Sequence, residues 1–425
     1  MIDPRSARSN IVWSMAAKLV SLLVSIFSVP LLLQMLGTQQ YGTWVTLTSL
    51  VAFISLLDLG VGNSMRNSVA SLDDTNSEAV RFEFIGFFRL LCYVGLIASA
   101  GFIFTIAIGD VAPRNSYAML LLYLPILMLL PLMLGASVLQ GARATGVQAI
   151  LQASGGWAFF VCIGFWAWID HSPSINSLAL IWSFFYLVSL LLVFALALSK
   201  LHLPFSRLFG VSIAGLPRGR LSVGLEFLVL QLSSLVLYSL GNILIFKHLG
   251  AGEVARYDVL NKMYQVGLSL YSVVIGVMWP EITRARAARN EKLLKNIFWN
   301  LAMIAGFFFA VALLGAFAAP SIVSLWTQHR IQVETREALA IAGLAVAQAL
   351  AYVGAVFMNS FEKIRLQILL GVASIVCMIP LSTYFMNLGV GIASVPLAAL
   401  LLTISPMVIC NICALHLIRG MKKYE

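Results

Sequence analysis

Lys18, Arg89 and Lys262 each lie inside a long apolar run, where a charged group is costly. Even on a lenient insertion scale an intramembrane cation costs a few kcal/mol unless something compensates it. The chemistry such cations offer is the binding of an anionic group as it leaves water. Arg66, at the cytoplasmic mouth of the second apolar run, joins them as a candidate substrate-binding residue. Asp58, Glu226 and Asp258 are the acids in the same kind of surroundings, and they are the candidate coupling acids. Lys18 sits in a polar stripe of Asn10, Ser14, Lys18, Ser21, Ser25 and Ser28, spaced at steps of three and four. That spacing puts all six side chains on one face of a helix. No acid shares the helix, so Lys18 either pairs with Asp58 or Glu226 from another helix or is left for an anionic ligand.

The segments that must position these residues are membrane spans. The chain has 425 residues, of which 60% are hydrophobic and 10% charged, and its mean hydropathy is +0.95. A soluble chain carries about 25% charge. Apolar runs long enough to cross a bilayer recur from end to end, which predicts an all-α polytopic membrane protein and excludes a β-barrel of alternating strands. The spans are expected near 11–36, 41–64, 84–108, 117–139, 148–169 and 178–199, then 223–246, 257–280, 296–318, 338–359, 366–386 and 393–417. That is about twelve helices in two lobes, residues 1–205 and 206–425. The first run is too long for a signal-peptide core and lacks a cleavage pattern, so a retained anchor is expected.

Most of the 27 Lys and Arg residues fall in loops on one side, leaving Arg114, Lys247, Arg256, Arg330 and Arg336 on the other. The positive-inside rule then places both termini in the cytoplasm. The formal charge of +10 is this bias and does not call for nucleic acid. Cys92, Cys162, Cys377, Cys410 and Cys413 all lie in apolar segments. The Cys410–Cys413 pair has no second ligand pair nearby, so buried thiols are expected and neither metal nor cofactor is called for. An internal echo suggests a parallel repeat: Leu36-Gly37 precedes Tyr41 in the first half, and Leu249-Gly250 precedes Tyr257 in the second.

Three other helices carry polar stripes. The second has Thr48, Ser55, Asp58, Gly62 and Arg66 on one face, with Asn63 beside them. The eighth has Asp258, Lys262, Gln265, Ser269, Ser272 and Gly276, and the seventh a looser set containing Glu226. Polar groups in hydrocarbon must face protein or water, so helices one, two, seven and eight are expected to wall a cavity, with Asn10, Ser14, Ser21, Ser25, Asn63, Gln265 and Ser269 lining it. The alternative is that small and polar residues mark helix packing. Asp258 and Lys262, four apart, are placed for an ion pair on one helix. Arg89 has Asp58 or Glu83 as candidate partners.

The N-terminal third resembles a known family. Asn10, Trp13 and Lys18, the run PLLLQMLGTQQYGTW from Pro30 to Trp44, and LLDLGVGNSMRN from Leu56 to Asn67 are similar to the Wzx-type O-antigen flippases of the multidrug/oligosaccharidyl-lipid/polysaccharide exporter superfamily. The resemblance implies two six-helix lobes forming a V-shaped exporter with a central cavity. It implies translocation of an undecaprenyl-diphosphate-linked oligosaccharide from the cytoplasmic to the periplasmic leaflet by alternating access. The partners implied are that lipid-linked substrate, the bilayer and other polysaccharide-assembly membrane proteins; the site implied is the bacterial inner membrane. A cation or drug antiporter of the same superfamily should present an acidic cavity instead. A polysaccharide polymerase or ligase should carry a large outer loop with Arg, His or acids, and the nearest approach to that is His329 with Arg330. An enzyme is therefore not expected.

Overall fold

The computed structural model describes residues 4–72, 78–108, 116–169, 173–208, 218–361, 363 and 365–420. Fourteen α-helices run through them: α1 (Pro4–Ile54), α2 (Val61–Leu72), α3 (Glu78–Ile108), α4 (Ser116–Met128), α5 (Leu134–Gly141), α6 (Thr145–Trp168), α7 (Ile175–Lys200), α8 (Arg218–Tyr238), α9 (Gly241–Leu249), α10 (Ala251–Ala287), α11 (Glu291–Trp326), α12 (Thr335–Ser360), α13 (Arg365–Asn387) and α14 (Ser394–Gly420). Among the described residues there is no strand. Nine of these helices are long and apolar enough to span a bilayer, and the bent pairs α4–α5 and α8–α9 raise the number to eleven. One of the nine, α1, is divided by Gly37, whose φ of 71° and ψ of 170° are not helical. That division brings the described spans to the twelve expected.

The breaks have local causes. Gly37 and Gly250 separate successive helices with nearly the same backbone, φ 71° and ψ 170° at the first, φ 95° and ψ 172° at the second. Only glycine reaches that region without strain. The Leu-Gly echo in the sequence is thus the same turn used twice. The 64° bend between α4 and its partner follows Pro125 and Pro131, since proline cannot supply the helical N–H and its ring crowds the preceding turn. The second span of the chain is interrupted after Asp58, where Leu59 (φ 54°) and Gly60 (φ 73°) are left-handed.

The chain forms two compact units: Met1–Gly37 with Leu47–Gln231, and Thr38–Thr46 with Leu232–Glu425. The division at 205/206 drawn from the long basic break therefore moves into α8. The nine residues that open the second span pack with the second unit although they continue α1. Close approach explains this: a Cβ on Gly42 would lie 1.7 Å from the Ala251 carbonyl oxygen, so only glycine lets segment 38–46 meet the start of α10.

Within the first unit α7 packs against α4, α5 and α6, and α3 against α4. Phe84 and Phe88 of α3 stack on Phe194 of α7 at 6.1 and 5.7 Å between ring centres. In the second unit α12 is the central helix, against α10, α11 and α14. Its buried face is built from Ala338, Ala342, Ala345 and Ala349. At Gly354 a Cβ would come within 2.6 Å of the Asn411 backbone nitrogen on α14. Small residues let helices approach where lipid offers no hydrophobic drive between them. The outward face of α11 is apolar, with Phe307, Leu314, Phe317 and Leu325 strongly exposed, as a lipid-facing helix requires.

Candidate functional site

The polar stripe of α1 does not act as one surface. Asn10 donates to the Arg143 carbonyl at 2.6 Å and accepts from the Gly146 N–H at 3.3 Å. It ties the start of α1 to the turn between α5 and α6, where Arg143 is left-handed (φ 58°). Ser21 accepts from the Trp157 indole at 3.1 Å and donates to the Ala17 carbonyl at 2.8 Å. Ser28 donates to the carbonyl of Ser25, and Ser14 and Ser25 are half-buried. Asn10 and Ser21 fasten α1 inside its own unit.

Lys18 differs from its neighbours on the stripe. At about 100° per residue it lies about 60° round the helix from Ser21 and about 80° from Asn10. That rotation carries it to the edge of an exposed apolar surface formed by Met15, Leu19 and Leu23. Lys18 is exposed and has no hydrogen-bond or ion-pair partner among the described residues. An ammonium at the border between the serine stripe and an apolar helix face, with no partner among the described residues, is available to an anion.

The other charged candidates of the first unit are occupied. Asp58 accepts from the Gly60 N–H at 2.8 Å, and a Cβ on Gly62 would lie 2.9 Å from its Oδ2. The carboxylate therefore caps the start of α2, where orphan N–H groups need an acceptor. Arg66 donates to Gln140 Oε1 at 3.4 Å. Arg89 donates through Nε to the Leu208 carbonyl at 3.0 Å, while Arg81, on the same helix, donates to the Leu201 carbonyl at 2.7 Å. Two arginines of α3 thus grip the chain that follows α7. Glu83, weighed as a partner for Arg89, is buried and accepts from Ser68 at 2.9 Å. The side chains of Asn63 and Glu226 lie outside the described residues.

In the second unit the expected Asp258–Lys262 pair is present, and a third member completes it. Lys262 Nζ donates to Asp258 Oδ2 at 2.5 Å and to the Tyr41 hydroxyl at 3.0 Å. Tyr41 in turn donates to Asp258 Oδ2 at 2.7 Å, and the ammonium stands 5.5 Å from the centre of the Tyr41 ring. Tyr41 is fully buried and Asp258 nearly so. The carboxylate is satisfied twice and the lysine is partly neutralised, so Lys262 acts first on segment 38–46. Nothing in the sequence spacing could pair residues 41 and 258, which are 217 positions apart. Gln265 and Ser269 lie half-buried further along α10.

A second charged group in that unit also went unforeseen. Arg256 bonds Glu253 at 2.8 Å, Glu337 at 2.9 Å and the Gln332 carbonyl at 2.9 Å. Glu337 is buried and closes a capping box with Glu334 at the start of α12. A capping box can be read from an S/T/D/N start; a Glu at both ends of the box hides it.

No family model matches the chain. A Yersinia pseudotuberculosis protein named for O-antigen export is 37% identical over 54 residues, 13% of this chain and 12% of that relative's length. A Salmonella typhi protein named for O-antigen transport is 22% identical over 314 residues, 70% of this chain and 69% of the relative. Among solved structures, an inward-facing multidrug resistance MATE family transporter of the MOP superfamily superimposes with a TM-score of 0.72 at 14% identity, covering 97% of this chain and 99% of the other. The lipid II flippase MurJ in its inward closed conformation gives a TM-score of 0.72 at 12% identity, covering 95% and 87%. With its spans and its lipid-facing helices, the chain is an integral membrane protein with the fold of transporters of the MOP superfamily.

Proposed function

We propose that this protein is a flippase that carries an undecaprenyl-diphosphate-linked oligosaccharide, an O-antigen or similar repeat unit, from the cytoplasmic to the periplasmic leaflet of the bacterial inner membrane. The observation that carries this reading is Lys18, an exposed cation at the border of a polar stripe and an apolar helix face, with no partner among the described residues. A diphosphate entering a low-dielectric site needs a compensating cation, and an ammonium with no competing carboxylate among the described residues supplies it. Relatives named for O-antigen export and transport support the substrate class, and a lipid flippase shares the fold. The prenyl chain would stay in lipid while the head group crosses by alternating access. The basic loops put both termini in the cytoplasm. The protein works as a carrier and not as an enzyme, alongside other polysaccharide-assembly membrane proteins.

A multidrug resistance transporter shares the fold to the same degree. Such a protein draws organic cations with free carboxylates, whereas Asp58 here caps α2 and Asp258 is held by Tyr41 and Lys262. Deleting the gene tests the two readings together. Lipid-linked repeat units should accumulate in the inner leaflet and surface polysaccharide should disappear, with drug sensitivity unchanged. Normal delivery of the units to the periplasm would overturn the flippase, and heightened drug sensitivity would favour the antiporter.

A further inference from the structure

At one end of the second unit, the α9–α10 turn and the α11–α12 loop enclose an open groove of about 570 Å³, within the 300–1,000 Å³ usual for small-molecule sites. Glu253, Arg256, His329, Arg330, Gln332 and Glu334 supply its polar wall. Ile331 and Val333 add apolar surface, and Gly252 leaves part of the wall without a side chain. The two carboxylates and two guanidiniums balance, so the groove does not select a charged ligand. Planar hydrogen-bonding groups beside small apolar patches suit a ring that offers hydroxyls at its edges and C–H groups on its faces.

The loop that builds the groove is held in an unfavourable backbone. After three other helices a single left-handed residue carries a side chain, at Arg143, His202 and Arg289; α11 is followed by two in succession, Gln328 (φ 53°) and His329 (φ 62°). Backbone bonds close this turn, the His329 N–H donating to the Ser324 carbonyl at 2.7 Å and the Arg330 N–H to the Thr327 carbonyl at 3.1 Å. Side chains add His329 Nδ1 with Ser324 Oγ at 2.8 Å and the Ile331 N–H donating to the buried Thr327 hydroxyl at 3.2 Å. Strain kept in place by such bonds points to use of the side chains it aims. The groove lies at the opposite end of α10 from Arg284 and Arg286, about 50 Å away at 1.5 Å per residue, and so on the side poor in basic loops.

We propose that this groove is a saccharide subsite, which takes neutral pyranose units of the glycan on the periplasmic side after translocation; this rests on the flippase reading above. The test uses the full-length protein in nanodiscs and, as probe, the host's repeat-unit oligosaccharide cut from its lipid by mild acid. Saturation-transfer NMR and calorimetry should show the wild type binding this glycan. The double variant His329→Ala/Gln332→Ala should bind at least tenfold more weakly at an unchanged melting temperature. Inorganic pyrophosphate should not compete. Absence of glycan binding, equal binding by the double variant, or displacement by pyrophosphate would each overturn the subsite. Flipping of the intact lipid-linked unit, followed in proteoliposomes, separates the two proposals. Glycan binding without flipping sinks the flippase and leaves the groove, and flipping without groove-dependent binding does the reverse.

Discussion

At the scale of single residues, whether a charge is free depends on what reaches it. Lys18 and Lys262 look alike in the sequence, each a cation in a polar stripe, yet only Lys262 has partners among the described residues. Lys18→Ala should therefore abolish surface polysaccharide at normal protein abundance, while Lys18→Arg should retain part of it, because the charge survives and the geometry changes. Quantitative immunoblots of polysaccharide and protein check both; unaltered polysaccharide in Lys18→Ala would remove the residue from the mechanism. The Tyr41–Asp258–Lys262 cluster should behave as structure. Asp258→Asn leaves a partly buried ammonium without its counter-charge and should cost about 3 kcal/mol. Tyr41→Phe removes one hydroxyl and should cost about 1 kcal/mol. Unfolding in detergent would rank them, and a loss for Tyr41→Phe as large as for Asp258→Asn would contradict the assigned roles.

At the scale of elements, the positions that matter are the ends and breaks of helices. Gly37 and Gly250 adopt a region closed to side chains, so Gly37→Ala and Gly250→Ala should each lose about 1–3 kcal/mol. Gly389 and Gly391, also with positive φ, provide a comparison in the turn between α13 and α14. Asp58→Ala should cost about 1 kcal/mol through loss of the α2 cap, and Asp58→Asn should cost less because asparagine caps as well as aspartate. If Asp58 instead carries a coupled proton, Asp58→Asn would stop transport with stability kept. Melting temperature and transport measured on the same preparation tell these apart. The glycine turns at Gly37 and Gly250 could be read from the residues alone, because local backbone chemistry dictates them. The Asp58-Leu59-Gly60 break is not legible there, since 41–64 reads as one continuous apolar span and Asp58, Gly62 and Arg66 as one helix face.

At the scale of the whole molecule, the distribution of charge between the two ends of the spans decides orientation. Green fluorescent protein fused after Glu425 should fluoresce, and alkaline phosphatase fused there should be inactive. The opposite pair of results would invert the proposed topology and place the groove beside α10 in the cytoplasm. The grip of α3 on the chain after α7 is a further whole-chain feature. Arg89→Ala frees the Leu208 carbonyl and should speed protease cleavage between residues 200 and 218. Unchanged cleavage would mean that Arg81 alone holds that stretch.

The sequence by itself determined the number and placement of the spans, the glycine turns and the Asp258–Lys262 pair. Each of these depends on hydrophobic length or on residues a few positions apart, and such quantities survive without knowledge of the neighbours. Tertiary structure decided which way the stripes face. Asn10 and Ser21 turned toward Gly146 and Trp157, Arg89 toward Leu208, and Tyr41 toward Asp258. A stripe fixes which side chains share a helix face. The rotation of that face is set by packing against helices more than a hundred residues away in the chain, and it left Lys18 at the exposed edge while its neighbours were drawn into the unit.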